Sequence, residues 1–275
     1  MISVIEGGVL DIYIINLDKD VHRLNWMEQQ LAAQKLQHSR IAAVNGYETR
    51  QQDLNWSNPL RSNLGAAEIG CLQSHANAWR MIVQSPSEHA VVLEDDVHIS
   101  DDFGDLIRSI SVDPNEFCIH KLETYCANVT LKWRPSYAAR NRKAHVLETN
   151  HGGTGAYFLN KGTASRLLGY LDLFRGALDT ELFDPQRRTI KNLKIYQWVP
   201  APCVQDFLVK KSKYRKGFVS NIGKERADVK CKMLRCETKA TAKTKVKALL
   251  RPVYTRLYSA FLLQHGRIRA KIKFK

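Results

Sequence analysis

Glu94, Asp95 and Asp96 are three successive carboxylates that close the apolar run HAVVL. Charges of one sign at that spacing repel, so they require a counter-charge. A hard divalent cation such as Mg2+ or Mn2+ supplies one, taking one or two protein carboxylates and completing its shell with substrate phosphates and water. An ion held in this way offsets charge developing on a departing diphosphate. The competing account is a solvated acidic loop. Three further stretches carry polar groups in settings that chemistry uses. GAAEIGCLQSHANAW (65–79) places Glu68, Gln73 and His75 in a helix of small and apolar residues. The start of that helix admits close backbone approach or an anion, while His75 equally suits a hydrogen-bonded structural role. HGGTGAY (151–157) sets Gly152 and Gly153 at the mouth of a strand, for backbone approach to a sugar or phosphate or simply as a tight turn. ALDTELFD (177–184) offers Asp179, Glu181 and Asp184, as a carboxylate base for an acceptor hydroxyl or as a surface acidic turn.

These groups converge only if the elements carrying them do. VLDIYIINL (9–17) is almost continuously apolar, as a strand buried on both faces is. Asp20 is placed to cap a helix from Val21 to about Leu36, with Val21, Leu24, Met27 and Leu31 on one face. RIAAV (40–44) is a second strand stopped by Asn45-Gly46, and the polar residues 47–63 read as a loop. A helix spans 66–84, with Pro86 just beyond it, and HAVVLEDDV (89–97) is a third strand. The βαβαβ order predicts an α/β fold with a mostly parallel twisted sheet and helices on both faces. Ligands of such sheets bind outside the carboxyl ends of the strands, where Asn16, Asn45 and the acid triplet fall. Further on, FCIHKLE (117–123) reads as a strand, residues 124–143 as basic and irregular, and HGGTGAYFLN (151–160) as a turn feeding a strand. Residues 163–171 look helical, LKIYQWV (193–199) is another strand, and helical stretches are expected over 225–250 and 252–265.

The composition, 44% hydrophobic and 25% charged in 275 residues, is that of a soluble globular chain with one large domain and an appendage. No apolar run reaches the ~18 residues that span a bilayer. The N-terminal stretch has no basic leader and carries Glu6, a poor signal peptide, so the expected compartment is cytoplasmic. The six cysteines show neither CxxC pairing nor zinc-ligand spacing and read as reduced thiols. Charge is unevenly placed: residues 206–275 hold 21 of the 42 basic residues and 4 of the 27 acidic ones, within a net charge of +15. A near-neutral body (1–206) therefore precedes a basic, partly helical extension (207–275), suited to an anionic surface of phospholipid, nucleic acid or phosphorylated glycolipid.

IYIINLDKDVHR (12–23) with RIAAVNG (40–46), GAAEIGCLQSHANAW, VVLEDDV (91–97) and GTGAYFLNKGTASRLL (153–168) together resemble glycosyltransferase family 25, the lipooligosaccharide biosynthesis galactosyltransferases, over about residues 10–206. The resemblance implies a GT-A type nucleotide-binding sandwich with a DxD-like metal motif at 94–96, here with Glu first. It makes Asp96 the direct ligand of Mn2+ or Mg2+, with Glu94 toward ribose or a metal-bound water and Asp95 in support. It places Ile15, Asn16, Leu17 and Arg23 around a uridine, and Asn45, Ser74 and His75 among the nucleotide-facing residues. Gly152 and Gly153 become the acceptor loop, Asp179 the catalytic base, and Glu181 the fallback. One departure stands out: a late histidine common in GT-A enzymes is missing from APCVQD (201–206), where Gln205 and Asp206 stand instead, so Gln205 is the candidate third ligand. The implied donor is UDP-galactose or another UDP-hexose, used with inversion. The implied acceptor is a lipopolysaccharide or lipooligosaccharide core glycolipid at the inner face of a bacterial inner membrane.

The basic extension suits that acceptor. KKSKYRK (210–216) and the lysines through Lys247 would hold the chain at an anionic leaflet, at about 1 kcal/mol for each basic residue near the surface. Residues 252–269 would lie in the interface as a helix, or pack on the body or on a second subunit of a homodimer. Two other classes fare worse. A nucleotidyltransferase would carry a glycine-rich phosphate loop after the first strand, which INLDKD lacks. A nucleic-acid-binding protein would bind with strong salt dependence, but no nucleic-acid module is recognisable and the acid cluster would go unexplained, so no nucleic-acid partner is expected.

Overall fold

LDIYIIN, HAVVLE, CIHK and AYFLN send alternate side chains to opposite faces, and nearly all of these side chains are buried, so both faces must be covered. The computed structural model describes residues 4–5, 8–49, 64–209, 216–218 and 262–275. The expected helix over 225–250, most of the one over 252–265, KKSKYR (210–215) and most of the 47–63 loop lie outside the described residues. The first half runs β1 (Val4–Ile5), β2 (Gly8–Asn16), α1 (Val21–Ala33), β3 (Ser39–Ala42), α2 (Gly46–Thr49), α3 (Ala66–Gln84), β4 (His89–Glu94), β5 (Val97–Ile99) and α4 (Phe103–Ser109). It continues through β6 (Cys118–Lys121), β7 (Glu123–Thr124), β8 (Asn128–Lys132), β9 (Tyr137–Ala139) and β10 (Arg142–Val146). Next come β11 (Ala156–Asn160), α5 (Lys161–Tyr170), α6 (Leu178–Phe183), β12 (Lys194–Val199), β13 (Cys203–Gln205) and β14 (Arg267–Lys271).

Nine strands form the main sheet in the order β1-β2-β4-β11-β6-β12-β10-β9, with β3 also paired to β2. Leu10, Ile12, Ile14, Val91, Leu93 and Phe158 turn to one face, where Met27 and Leu31 of α1 and Phe103, Leu106 and Ile107 of α4 cover them. Tyr13, Ile15, Ala90, Val92, Tyr157 and Leu159 turn to the other, under Leu72, Ala76 and Trp79 of α3, Leu167 of α5 and Leu182 of α6. The expected α/β sandwich is therefore present, but its sheet is mixed. The parallel character holds for β3, β2 and β4 and for β6 with β12, whereas β11 lies antiparallel between β4 and β6. Apolar runs specify burial on two faces and leave strand direction open, hence the difference.

Other departures are local. The strand expected over 89–97 breaks at Asp95-Asp96, and its remainder becomes β5 in a separate three-stranded sheet, β5-β13-β7. Asp20 stands at the N-cap of α1 without a side-chain capping bond; its carbonyl instead accepts from the backbone N–H of Arg23 at 3.0 Å. Residues 124–143 are not irregular, since β8 and β9 lie there; β8 pairs with β14, more than a hundred residues further along the chain. The described end of the basic extension is thus part of the body, with Ile272 fully buried and Thr124 Oγ1 donating to its carbonyl at 2.8 Å. No helix among the described residues is long and apolar enough to cross a membrane.

Glu116, just before β6, ties three strands together. Its carboxylate accepts from Tyr137 Oη at 2.6 Å, Tyr196 Oη at 2.7 Å and Lys194 Nζ at 2.9 Å. Burial alone would raise its pKa, but the two phenols and the lysine outweigh burial and hold it at about 2. A folded pKa below the unfolded value of about 4.3 adds stability that is present above that value and lost as pH falls toward 2. Glu116→Gln is therefore expected to cost about 2 kcal/mol near neutral pH. The deficit should shrink toward pH 2, read from urea midpoints along a pH series.

Candidate active site

β2, β3, β4, β6 and β12 all run one way through the main sheet, so their carboxyl ends share one edge. β11 runs the other way, which brings its entry, Gly152 to Gly155, to that same edge. The acid triplet, the end of β2, the end of β6 and the glycine loop meet there. β13 joins them by pairing with β5, Gln205 opposite Val97.

The three acids are treated differently. Asp95 is spent on the scaffold: Asn16 Nδ2 donates to its Oδ2 at 2.7 Å, and Arg23 Nη1 lies 3.0 Å from its Oδ1. Burial still keeps its pKa above the usual range despite both partners. Glu94 Oε1 accepts from Thr154 Oγ1 at 2.6 Å and from His75 Nε2 at 3.2 Å, and its Oε2 accepts from Gln205 Nε2 at 3.0 Å. Burial works to raise its pKa, but the hydrogen bonds from His75 and Thr154 prevail and hold it below the ordinary value. Asp96 is buried, and its Oδ1 has no hydrogen-bond partner among the described residues. Burial, then the charges of Glu94 and Asp95, push its pKa well up. A buried carboxylate oxygen without a donor is costly. An all-oxygen set of Asp96, Glu94 and the Gln205 carbonyl fits a hard divalent cation such as Mg2+ or Mn2+, which would relieve that cost.

Glu94 is oriented from the core. Trp79 Nε1 donates to Tyr157 Oη at 3.0 Å, and Tyr157 Oη lies 2.8 Å from His75 Nδ1. The assignment that satisfies each atom has the phenol donating to Nδ1 and Nε2–H donating to Glu94. His75 is thus a positioning residue rather than a group open to a nucleotide. Cys71 Sγ, a His75 ring nitrogen and a Glu94 oxygen lie within 4.8 Å of one another. Both His75 nitrogens are engaged in this relay and the thiol sits 3.8 Å from Thr154 Oγ1, so the trio reads as a hydrogen-bond network.

Two residues that the sequence analysis passed over form the floor of the glycine loop. Lys121 and Glu123 are fully buried. Lys121 Nζ donates to Glu123 Oε1 at 2.9 Å and to the Gly153 carbonyl at 2.5 Å, and it sits 3.9 Å from the centroid of the Phe183 ring. Glu123 Oε2 accepts from the Gly155 N–H at 3.0 Å. Burial lowers the lysine's pKa and raises that of Glu123 to about 7. Gly153 has φ of 87°, and a Cβ there would lie 2.1 Å from Glu123 Oε1, so the loop needs glycine on both counts. The overlooked signal is a Lys and a Glu two residues apart, both charged, in an otherwise apolar strand.

The other candidates divide. Asp179 comes to the site: its Oδ2 lies 3.4 Å from where a Cβ on Gly152 would be. Glu181 does not. It is buried, with Oε1 accepting from the N–H groups of Arg175 and Gly176 at 2.9 Å each and Oε2 from that of Thr189 at 2.7 Å. All its capacity goes to holding two loops. Ser74 donates to the Gly70 carbonyl at 2.6 Å and accepts from the Val44 N–H at 2.8 Å, and Asn45 bonds locally to Glu48 and Tyr47. Ile15 packs in the core, Leu17 is half-buried, and Asn16 accepts from Arg40 while donating to Asp95. Asp206 accepts from His98 at 2.7 Å and from the N–H groups of Lys216 and Phe218, which fixes residues 216–218 beside α1. A cleft of about 330 Å³ opens there, lined by Lys19, Asp20, His22, Arg23, Lys216, Gly217 and Phe218.

Fold and site together define an α/β sandwich with a cluster of acids at the carboxyl edge of its main sheet. The chain belongs to glycosyltransferase family 25 (LPS biosynthesis protein), whose profile matches residues 9–182. It is 28% identical over 162 residues to the lipooligosaccharide biosynthesis protein lex-1 of Haemophilus influenzae, covering 54% of this chain and 53% of that one. A putative glycosyltransferase of the same organism is 23% identical, over 72% of this chain and 71% of its own. Procollagen galactosyltransferase 2 of Mus musculus is 24% identical over 65% of this chain and 30% of its own. The match thus spans about half of the lex-1 protein and less than a third of the mouse enzyme.

Proposed function

We propose that the chain is an inverting glycosyltransferase that moves galactose from UDP-galactose onto a lipopolysaccharide or lipooligosaccharide core acceptor. The observation that carries this reading is the buried Asp96 Oδ1, without a hydrogen-bond partner among the described residues, next in sequence but one to the Glu94 that Gln205 bonds, at the sheet edge where the glycine loop and Asp179 also arrive. Asp96, with Glu94 and Gln205, would hold Mn2+ or Mg2+, and the ion would offset negative charge on the departing UDP. Arg23 and the cleft beside it lie on the same side as the triplet and suit the nucleotide. Asp179, next to Gly152, takes the proton of the acceptor hydroxyl as that oxygen attacks the anomeric carbon. The Lys121–Glu123 pair keeps the glycine loop in the shape that leaves room for the sugar. Working on a glycolipid, the chain would sit at the cytoplasmic face of the inner membrane, held by its basic extension.

The test is UDP release from a panel of UDP-sugars with Mn2+ and a core oligosaccharide acceptor. UDP-galactose is expected to give the highest kcat/KM. Preference for another hexose would sink the galactose assignment alone, and release from none of them would sink the reading.

A further inference from the structure

β14 carries its charges on one side. Arg267, Arg269 and Lys271 are exposed, while Ile268, Ala270 and the following Ile272 turn toward the body. Lys273 and Lys275 continue the exposed series along the edge, past the bridge between Ala201 and Phe274. Alternate residues of a strand stand roughly 6.6 Å apart on one face, so the cations form a straight row. β8 adds Lys132 directly opposite Arg267. Glu148 neutralises Arg267, at 2.5 Å. Among the described residues, Lys132, Arg269, Lys271, Lys273 and Lys275 form no ion pair with an acid.

Apolar groups flank the row. Trp133 is 53% exposed and follows Lys132, and its N–H donates to the Gly266 carbonyl at the turn into β14. Leu263, 57% exposed, lies in that same turn, and Phe274, 37% exposed, stands at the far end. A row of cations bounded by an exposed indole and aliphatic side chains matches a bilayer interface, where anionic headgroups meet the first acyl carbons. The ribbon is also tied to the site. Thr124, which bonds to Ile272, directly follows Glu123, and the N–H of Tyr125 donates to His151 of the glycine loop at 3.0 Å.

We propose that the outer face of the β14–β8 ribbon is the surface that docks on an anionic phospholipid leaflet, on the acceptor side of the site. This rests on the reading of the chain as a glycolipid-modifying enzyme and narrows it, because the contact is a folded ribbon of the body rather than residues 210–247. Docking there would bring a membrane-embedded acceptor to the glycine loop without requiring residues 210–247 to reach it.

The test is flotation of the full chain with vesicles of phosphatidylglycerol and phosphatidylcholine, against phosphatidylcholine alone. The wild type should bind the anionic vesicles, and R269E/K271E/K273E should bind more than about a hundredfold more weakly. These three side chains are exposed, so the melting temperature and UDP release with a soluble acceptor should be unchanged. The milder R269Q/K271Q/K273Q variant should show a smaller loss in the same direction. Equal binding by wild type and both variants would overturn the ribbon as the contact while leaving membrane docking by residues 210–247 in place. No binding of the wild type would overturn membrane docking altogether. Tighter binding of a short DNA duplex than of anionic vesicles, lost in the same variants, would overturn the choice of lipid.

Discussion

Asp96→Asn is expected to lower kcat for sugar transfer by on the order of a thousandfold, the several kcal/mol that a bound cation supplies to a departing diphosphate. Of the three acids, Asp95 is committed to Asn16 and Arg23, and Glu94 to His75, Thr154 and Gln205, so Asp96 is the one whose buried Oδ1 has no hydrogen-bond partner among the described residues. Asparagine keeps the shape and removes the charge. In the metal-free protein the variant should be as stable as the wild type or more so, since a carboxylate crowded by Glu94 and Asp95 is gone. With Mn2+ the order should reverse: the wild type's melting temperature rises through binding to the folded state, and the variant's does not. Two readouts thus move in opposite directions. Near-normal turnover together with an undiminished Mn2+ shift in the variant would defeat the assignment of Asp96 as ligand.

Lys121→Met should have the largest effect on stability among the site residues, about 3–5 kcal/mol, because it strands a buried carboxylate. Glu123 would keep only the Gly155 N–H as a partner, in a fully buried position. The Gly153 carbonyl would lose its donor and the Phe183 ring its cation at the same time. The double variant Lys121→Met/Glu123→Gln removes both charges and should recover much of the loss, as buried pairs replaced together often do. Urea unfolding of the two single variants and the double gives the coupling directly. Additive losses would mean that the pair does not act as a unit. If the pair shapes the acceptor loop, the double variant should also raise KM for the acceptor more than KM for the donor.

Much of this molecule follows from local pattern. The apolar runs of β2, β4 and β11 required strands with both faces covered, and the spacing of Met27, Leu31, Leu72, Ala76 and Trp79 required helices to cover them. The acid triplet was visible as a candidate because like charges at the end of an apolar strand need a counter-charge, a pattern that a solvated acidic loop shares. Residue type alone could not separate its members. Asp95 and Asp96 are neighbours of one kind, and only the arrival of Asn16 and Arg23 at one of them left the other bare. The same holds for Asp179 and Glu181, two residues apart: helix α6 turns the first toward Gly152 and the second into the backbone of residues 175, 176 and 189.

By itself, then, the sequence determined the layered α/β architecture, the helices that cover the sheet, the position of the acids at a strand end and the basic character of the last 70 residues. Tertiary structure decided the antiparallel placement of β11, the return of β14 to β8, the burial of Lys121 against Glu123 and the engagement of His75 and Ser74 as supports. The physical reason is one of range. Periodicity records which side of an element is buried, and that is a property of neighbouring residues. Which partner satisfies a buried donor or acceptor is settled across separations of tens to more than a hundred residues, where only the closed fold brings the two groups within hydrogen-bond distance.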